Sequence, residues 1–528
     1  MKRRDFLGGM GLAAAGSLII PDSANATTRK RIEFAKGPTD RPLDIQIAVK
    51  PVYSPIYHSD VWEGPCRPTS GNRPKQEKTD DGSLDPAAWW SIAAYGKTPE
   101  QERADAETGV KEFAKSLRAN LSPDIQLLDP VLLEYSEDFY IRPEQLAKLE
   151  PDRDKVDVYF FEGTLLPYPA TIIAETFKKP VVMGGDFAAM DALAYMKTRG
   201  LEGYAVFNKE LNPLLSLLKT RKVFQQTNIL IITDRDLPPL PVLSCMDVNM
   251  LKEKFGIDSH FVSYREFANE MDKVLKSKEW GGKAEDRAEQ LIKNAEETHI
   301  DKQYVKRSFE FYYAVKNLMQ KYGCNAFTVE CFELCASRLA DKYLITPCLV
   351  HTLLKDEGIA SACEGDLNAL LAMRLLMSVA NKSSFMGNPI PISKDGLIVN
   401  HSVPGIKMAG YDKADLPYHL RYFVESGWGT KAMVDFSQLE EKTVTLARFN
   451  PLGTKIYLAK GEIIGCMGFN KGTLIGCSLA AHIKVPDAQE CLRKLGDFGS
   501  HLSMVYGDYT REVQQLADMM GLEVVFAT

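Results

Sequence analysis

The chain has 528 residues, of which 45% are apolar and 25% are charged, as in ordinary soluble globular proteins. This length allows about three domains. The net charge of −6 argues against a nucleic-acid or anionic-membrane partner, because both require a basic surface that neutralises phosphates.

Residues 1–26 have the features of an export signal. The basic start from Lys2 to Arg4 is followed by an apolar stretch from Phe6 to Ile20, and Ala24-Asn25-Ala26 suits signal-peptidase cleavage. The string Arg3-Arg4-Asp5-Phe6-Leu7 resembles the bacterial twin-arginine motif. We therefore expect export to the periplasm or the extracellular space by the twin-arginine route, with no stable membrane insertion after cleavage. An uncleaved anchor is the alternative, although the apolar stretch is short for a span of about 20 residues.

A polar linker at 27–43 precedes an N-terminal unit at 44–221, in which strand patterns alternate with helix patterns. Ile45 to Val49, Val156 to Phe161 and Pro180 to Gly184 are typical of buried strands, and a helix is predicted at about 99–118. A long irregular insertion is expected at 51–98. This alternation predicts a parallel sheet that helices cover on both faces.

The alternation resumes in a second unit at 222–385. Asn228 to Ile232, His260 to Tyr264 and Ala326 to Glu330 are strand patterns, and long helices are predicted at about 283–296 and 301–321. The second unit is therefore also expected to be a doubly wound parallel sheet.

The pattern changes in the C-terminal unit at 386–528. Short strands at Thr443 to Arg448 and Lys455 to Ala459 are separated by Asn-Pro-Leu-Gly, and glycines recur afterwards, which is typical of antiparallel β structure. The predicted fold class is α/β, with two tandem doubly wound parallel-sheet domains followed by an α+β C-terminal domain rich in antiparallel β structure.

The chain has ten cysteines. Export to an oxidising compartment would permit disulfides, but the cysteines lie within apolar segments where buried free thiols are common. Spacing alone cannot pair them.

Four carboxylates follow two strands of the second unit. Glu330 and Glu333 come at the end of one predicted strand, and Glu364 and Asp366 come at the end of the next. Apolar surroundings penalise uncompensated charge, so a divalent cation would stabilise this group, and oxygen ligands suit Mg²⁺ or Mn²⁺. Helix capping by Glu364 or Asp366 is the alternative.

Four short segments resemble those of the L-fucose isomerase family. They are Cys331-Phe332-Glu333-Leu334 with Pro347-Cys348, the acidic segment Ala362 to Met373, Asn400-His401-Ser402, and His501 to Asp508. No single segment is decisive, whereas their order along most of the chain after residue 26 carries the resemblance.

This resemblance implies a metal-dependent aldose–ketose isomerase that acts through an ene-diol intermediate. It implies Glu333, Asp366 and His501 as metal ligands, with Glu330 close behind Glu333 as the first carboxylate. Mn²⁺ is the expected ion, and Mg²⁺ or Co²⁺ are alternatives. Glu333 and Asp366 are the expected acid/base residues, and His401, Glu364 and Glu330 are the expected contacts to a sugar substrate.

The resemblance also implies a homo-oligomer, a trimer or hexamer. The chain departs from the family at Phe332, Ser402 and Ser500, where the family often has tryptophan, cysteine and histidine. These departures leave the sugar open and allow catalysis to have been lost. A non-catalytic exported carbohydrate-binding protein, or another exported enzyme on modified sugars, is the alternative function.

Overall fold

The computed structural model of the protein describes residues 42–57, 99–136, 141–163, 168–184, 187–206, 210–235, 246–470 and 475–527. The predicted signal at 1–26, most of the predicted linker and residues 58–98 of the predicted insertion lie outside these ranges. None of the helices in the described ranges is long and apolar enough to cross a membrane.

The N-terminal unit contains a six-stranded parallel sheet in the order β3-β1-β6-β7-β8, with β4 also paired to β1, and a separate pair of β2 with β5. The central strand β1 is buried along nearly its whole length, as expected for a parallel sheet covered on both faces. The strands are β1 Ile47–Ser54, β2 Ile56–Tyr57, β3 Ile125–Leu127, β4 Val131–Leu132, β5 Tyr135–Ser136, β6 Val158–Gly163, β7 Val181–Gly184 and β8 Gly203–Val206. The helices are Pro99–Asn120, Pro143–Leu146, Tyr168–Phe177, Phe187–Thr198 and Leu211–Gln225.

The second unit contains a four-stranded parallel sheet in the order β10-β9-β12-β13. Its strands, together with β11, are β9 Asn228–Ile232, β10 Asp258–Val262, β11 Glu297–His299, β12 Ala326–Val329 and β13 Ala360–Ala362. Its helices are Val248–Phe255, Tyr264–Lys276, Lys278–Asn294, Lys302–Tyr322, Cys331–Ala336, Leu339–Tyr343, Cys348–Asp356 and Leu367–Ala380. Because β12 and β13 are parallel neighbours, the segments that follow them lie at the same edge of the sheet.

The C-terminal unit is mainly antiparallel. Strands β18, β21, β14, β15, β20 and β19 pair in that order, and β18 also pairs with β19, so the pairings close a ring of six strands. A second sheet joins β16 and β17 to β11. The strands are β14 Phe385–Pro391, β15 Gly396–His401, β16 Tyr418–Tyr422, β17 Thr430–Val434, β18 Thr443–Phe449, β19 Lys455–Met467, β20 Leu479–Lys484, β21 Leu502–Tyr506 and β22 Glu523–Phe526. The helices are Ala488–Lys494 and Thr510–Met520. The predicted fold class is confirmed.

One buried helix joins the second sheet to the six-stranded ring. Leu367–Ala380 has almost no exposed side chain and packs against β13, β18 and β21. Each of its buried leucines contributes about 2 kcal/mol of hydrophobic stabilisation. The turn at residues 363–366, which precedes this helix, therefore lies beside His501, the residue before β21.

Candidate metal centre

The turn between β13 and the helix Leu367–Ala380 carries two of the predicted carboxylates. Glu364 and Gly365 both have left-handed backbone conformations, with φ of 60° and 65°. This conformation costs a non-glycine residue roughly 1–3 kcal/mol and is concentrated at functional sites. Asp366 then accepts the Ala369 N–H at 2.9 Å as the helix N-cap. The turn directs the two carboxylates to different partners.

Asp366 is completely buried and holds His501 in place. Its Oδ2 accepts a hydrogen bond from Arg448 Nη1 at 2.7 Å and lies 2.9 Å from His501 Nδ1. Burial alone would raise the pKa of Asp366, but Arg448 and His501 outweigh it and lower that pKa to about 2. The predicted approach of Asp366 and His501, 135 residues apart in the chain, is therefore observed.

This contact leaves the second ring nitrogen of His501 available as a ligand. With a proton on Nδ1, donated to Asp366, Nε2 carries the lone pair, as in metal-bound histidines. Within the described part of the chain, Nε2 of His501 is buried and has no hydrogen-bond partner. It lies 3.7 Å from Glu364 Oε2. A buried ring nitrogen in this state fits a cation between the two side chains.

His401, at the end of β15, completes the group. Its Nε2 lies 3.1 Å from Glu364 Oε1, and its ring centroid is 5.3 Å from that of His501. Potential ligand atoms of Glu364, His401 and His501 all lie within 4.8 Å of one another, and all three residues are buried. Two imidazoles and one carboxylate are a common ligand set for divalent transition metals.

The chain is similar to sulfoquinovose isomerases. It is 23% identical to the protein of that name from Priestia megaterium over 315 residues, which cover 58% of this chain and 66% of the relative, slightly under two thirds of the relative's length. It is 23% identical to the sulfoquinovose isomerase of Alkalicoccus urumqiensis over 329 residues, 61% of this chain and 69% of the relative. No protein-family model matches the chain. The similarity supports the L-fucose isomerase-like superfamily and no finer assignment.

Of the three ligands predicted from sequence, only His501 belongs to the observed group. Glu364 and His401, expected from sequence to contact sugar, supply the other ligand atoms, whereas Glu333 and Asp366 lie outside the group formed by the described residues. The reason for Asp366 is that helix capping, Arg448 and His501 already engage both of its oxygens. Its position is that of a residue that orients a ligand.

Glu330 and Glu333 lie at the end of the neighbouring strand β12. The Glu330 carboxylate accepts the Phe332 and Glu333 N–H groups at 3.3 and 2.8 Å, so it caps the helix Cys331–Ala336. Glu333 accepts the Thr233 hydroxyl at 2.5 Å and a hydrogen bond from the Arg235 side chain. Helix capping by Glu364 or Asp366 was the alternative left open from sequence, and the geometry shows it at Asp366. The cap at Glu330 was not predicted.

Sequence reasoning missed Arg448 and Cys477. Arg448 belongs to β18 and is completely buried. Cys477 Sγ lies 3.8 Å from His401 Nδ1. Burial alone would lower the pKa of His401, but Cys477 and Glu364 raise it to about 10, so binding of a cation at His401 would displace a proton from the ring. A buried arginine within an apolar strand is the signal that could have found Arg448, because such a charge requires a partner.

A second histidine group lies on the sheet formed by β11, β16 and β17. Potential ligand atoms of Glu297, His299 and His419 lie within 4.8 Å of one another. However, Arg421 Nη2 lies 3.0 Å from His419 Nδ1, so a guanidinium occupies the same neighbourhood. This positive charge disfavours a metal ion there.

Proposed function

We propose that the protein is a divalent-metal-dependent aldose–ketose isomerase with Glu364, His401 and His501 as its protein ligands. The observation that carries the proposal is the buried Nε2 of His501, which lacks a hydrogen-bond partner among the described residues and faces Glu364. Similarity to sulfoquinovose isomerases supports the reaction class. Mn²⁺ is the proposed ion, with Mg²⁺ or Co²⁺ as alternatives.

The chain's own residues prepare this site for a cation. When bound, the cation would supply a Lewis acid that polarises a sugar carbonyl. Asp366 fixes the ring orientation of His501, and Arg448 compensates the buried charge of Asp366. The burial of all three proposed ligands excludes bulk water and strengthens electrostatic interactions inside the site.

Glu333 is the proposed acid/base residue that moves the proton between C1 and C2 of the sugar. It lies in the first turn after β12, the strand next to β13, and Thr233 and Arg235 fix its carboxylate. Asp366, the other residue predicted for this role, is less suitable. It is completely buried, and a carboxyl with a pKa of about 2 holds almost no proton near neutral pH.

Sulfoquinovose is the first sugar to test, because the curated relatives carry its name. The proposed experiment removes metal from the purified protein with a chelator and restores Mn²⁺, Mg²⁺ or Co²⁺ separately. A panel of sulfoquinovose, L-fucose and L-arabinose is then followed by NMR in D₂O. We expect ketose formation with deuterium incorporation for at least one sugar, lost with the chelator and restored by Mn²⁺.

Glu364→Gln is the matched test of the ligand assignment, and Glu440→Gln at an exposed position is its control. Glu364→Gln should lose most Mn²⁺ binding and turnover, whereas Glu440→Gln should retain both. Equal Mn²⁺ affinity in the two variants would refute the ligand set. Sugar binding without proton exchange for any sugar would favour the exported carbohydrate-binding protein instead.

A further inference from the structure

Two cysteines lie beside the proposed metal centre. Cys331 is the first residue of the helix after β12, and Cys363 follows β13 directly. Because these strands are parallel neighbours, the two side chains meet at the same edge of the sheet. Their sulfur atoms are 3.9 Å apart, with the Cys363 thiol donating to Cys331. Both are free thiols in this structure.

The two thiols differ in their accessibility. Cys363 is buried, whereas Cys331 is half-buried. A soluble oxidant therefore reaches Cys331 first, and Cys363 is placed to react with the product at Cys331. Cys335, on the same short helix as Cys331, is exposed and provides a control for general thiol reactivity.

We propose that Cys331 and Cys363 form a reversible disulfide whose closure weakens cation binding by Glu364, His401 and His501. With oxidised glutathione as the oxidant, the Cys331 thiolate attacks one glutathione sulfur, which breaks that disulfide and releases one glutathione thiolate. The Cys363 thiolate then attacks the Cys331 sulfur and releases the second glutathione. The two cysteines lose two protons and two electrons, and the glutathione disulfide is reduced to two thiols.

The coupling follows from the position of Cys363 in the chain. A disulfide requires the sulfurs to approach from 3.9 Å to about 2.05 Å, which draws Cys331 and Cys363 together. Glu364 is the next residue, and its left-handed backbone fixes the direction of its carboxylate. Metal–ligand distances tolerate only about 0.2 Å of change. Displacement of Glu364 would therefore impair the ligand set.

The disulfide is tested by mass spectrometry on the purified full chain. The protein is incubated with oxidised glutathione, its remaining thiols are alkylated with iodoacetamide, and the digested peptides are analysed without reduction. We expect a peptide pair joined through Cys331 and Cys363, absent from Cys331→Ser and retained in Cys335→Ser. Full alkylation of Cys331 and Cys363 in the oxidised wild-type protein would overturn the proposed disulfide.

The coupling is tested by calorimetric titration with Mn²⁺, and this part rests on the proposed function. We expect the oxidised wild-type protein to bind Mn²⁺ about tenfold or more weakly than the reduced protein does. Cys331→Ser should bind equally before and after oxidation. Equal affinities of oxidised and reduced wild type would overturn the coupling. A reduced protein that binds no Mn²⁺ would overturn the proposed metal centre and the coupling, whereas the mass spectra decide the disulfide independently.

Discussion

At the scale of single residues, Asp366 would act on the proposed cation through His501 and not by direct ligation. Three donors engage it, namely the Ala369 N–H, Arg448 and His501. Residues in this position set the orientation and basicity of a ligating histidine, and their loss typically lowers metal affinity about 10–100-fold. The effect of Asp366 on function should therefore come through His501.

Asp366→Asn should weaken Mn²⁺ binding by about 10–100-fold while the chain remains folded, because asparagine can still cap the helix. Isothermal titration measures the affinity, and thermal unfolding measured in parallel detects any loss of stability caused by the unpaired Arg448. Asp412→Asn, at an exposed position, is the control. Unchanged affinity in Asp366→Asn would show that His501 does not depend on this carboxylate.

One contact between candidate site residues was predictable from the sequence, whereas the roles of these residues rest on the proposed function. The contact of Asp366 with His501 followed from the order of the resembling segments, and it is observed. The proposal of Glu364 as a ligand could not follow from the sequence, because it depends on the left-handed backbone at Glu364 and on Arg448 from the distant strand β18. The backbone conformation of Glu364 and the partner that Arg448 selects are both tertiary features, which the local sequence does not specify.

At the scale of elements, the turn before the helix Leu367–Ala380 depends on a glycine. Gly365 has a φ of 65°, where a β-carbon costs roughly 1–2 kcal/mol. Gly365→Ala should therefore lower the free energy of unfolding by about that amount. Gly281→Ala is the contrasting variant, because it lies in a helix and its β-carbon would meet nothing within 4 Å. It should raise stability by up to about 1 kcal/mol, and urea denaturation compares both variants.

The helix Cys348–Asp356 buries a lysine at its end. Lys355 is completely buried, and this burial lowers its pKa from 10.5 to about 7. Between these two values the unfolded chain binds more protons at this position than the folded chain, so stability should rise with pH from about 7 to about 10. The neighbouring Asp356, with a pKa of about 6, is already ionised in this window. His351 is neutral there, because burial lowers its pKa well below 6.5.

Lys355→Met should therefore stabilise the protein by roughly 4 kcal/mol at pH 7, and the gain should shrink as the pH approaches 10. The free energy of unfolding, measured in urea at several pH values, checks this dependence. Lys394→Met, at an exposed position, should show no such trend. A constant difference between Lys355→Met and wild type across the window would contradict burial as the cause.

A helix boundary was predictable where a strong capping residue, such as a glycine after the last turn, marks the end of the helix. The helix predicted at 301–321 is observed as Lys302–Tyr322 and ends at Gly323 in a left-handed cap. The helix predicted to start at 283 begins instead at Lys278, because Ser277 caps it through the Trp280 N–H. Gly281 and Gly282 near its start lower the local helix propensity, and the sequence pattern therefore placed the boundary too late.

At the scale of the whole molecule, the order of the units was predictable from the sequence. The pairing of a strand from one unit with a strand from another was not. The strand Glu297–His299 lies within the predicted second unit, yet it pairs with Tyr418–Tyr422 of the C-terminal part. The closure of the six-stranded ring likewise depends on the pairing of β18 with both β19 and β21. Tertiary packing determines which distant strands pair, and local periodicity in the sequence does not encode this choice.

Export remains a prediction from residues 1–26, which lie outside the described ranges. Replacement of Arg3 and Arg4 by lysine should abolish twin-arginine export and leave the protein in the cytoplasm. Fractionation of expressing cells and detection of the cleaved form measure this outcome. Lys2→Arg is the control, because it keeps the basic start and the arginine pair. Unchanged cleavage in the double variant would point to another export route.

The position of β21 has a consequence for biosynthesis. His501 and Leu502–Tyr506 are delivered by the ribosome after every other part of the proposed metal centre. A nascent chain that has not reached residue 501 lacks both the last proposed ligand and the strand between β18 and β14. Cation loading is therefore expected to be post-translational, and partially synthesised chains would present unpaired sheet edges for chaperones to cover.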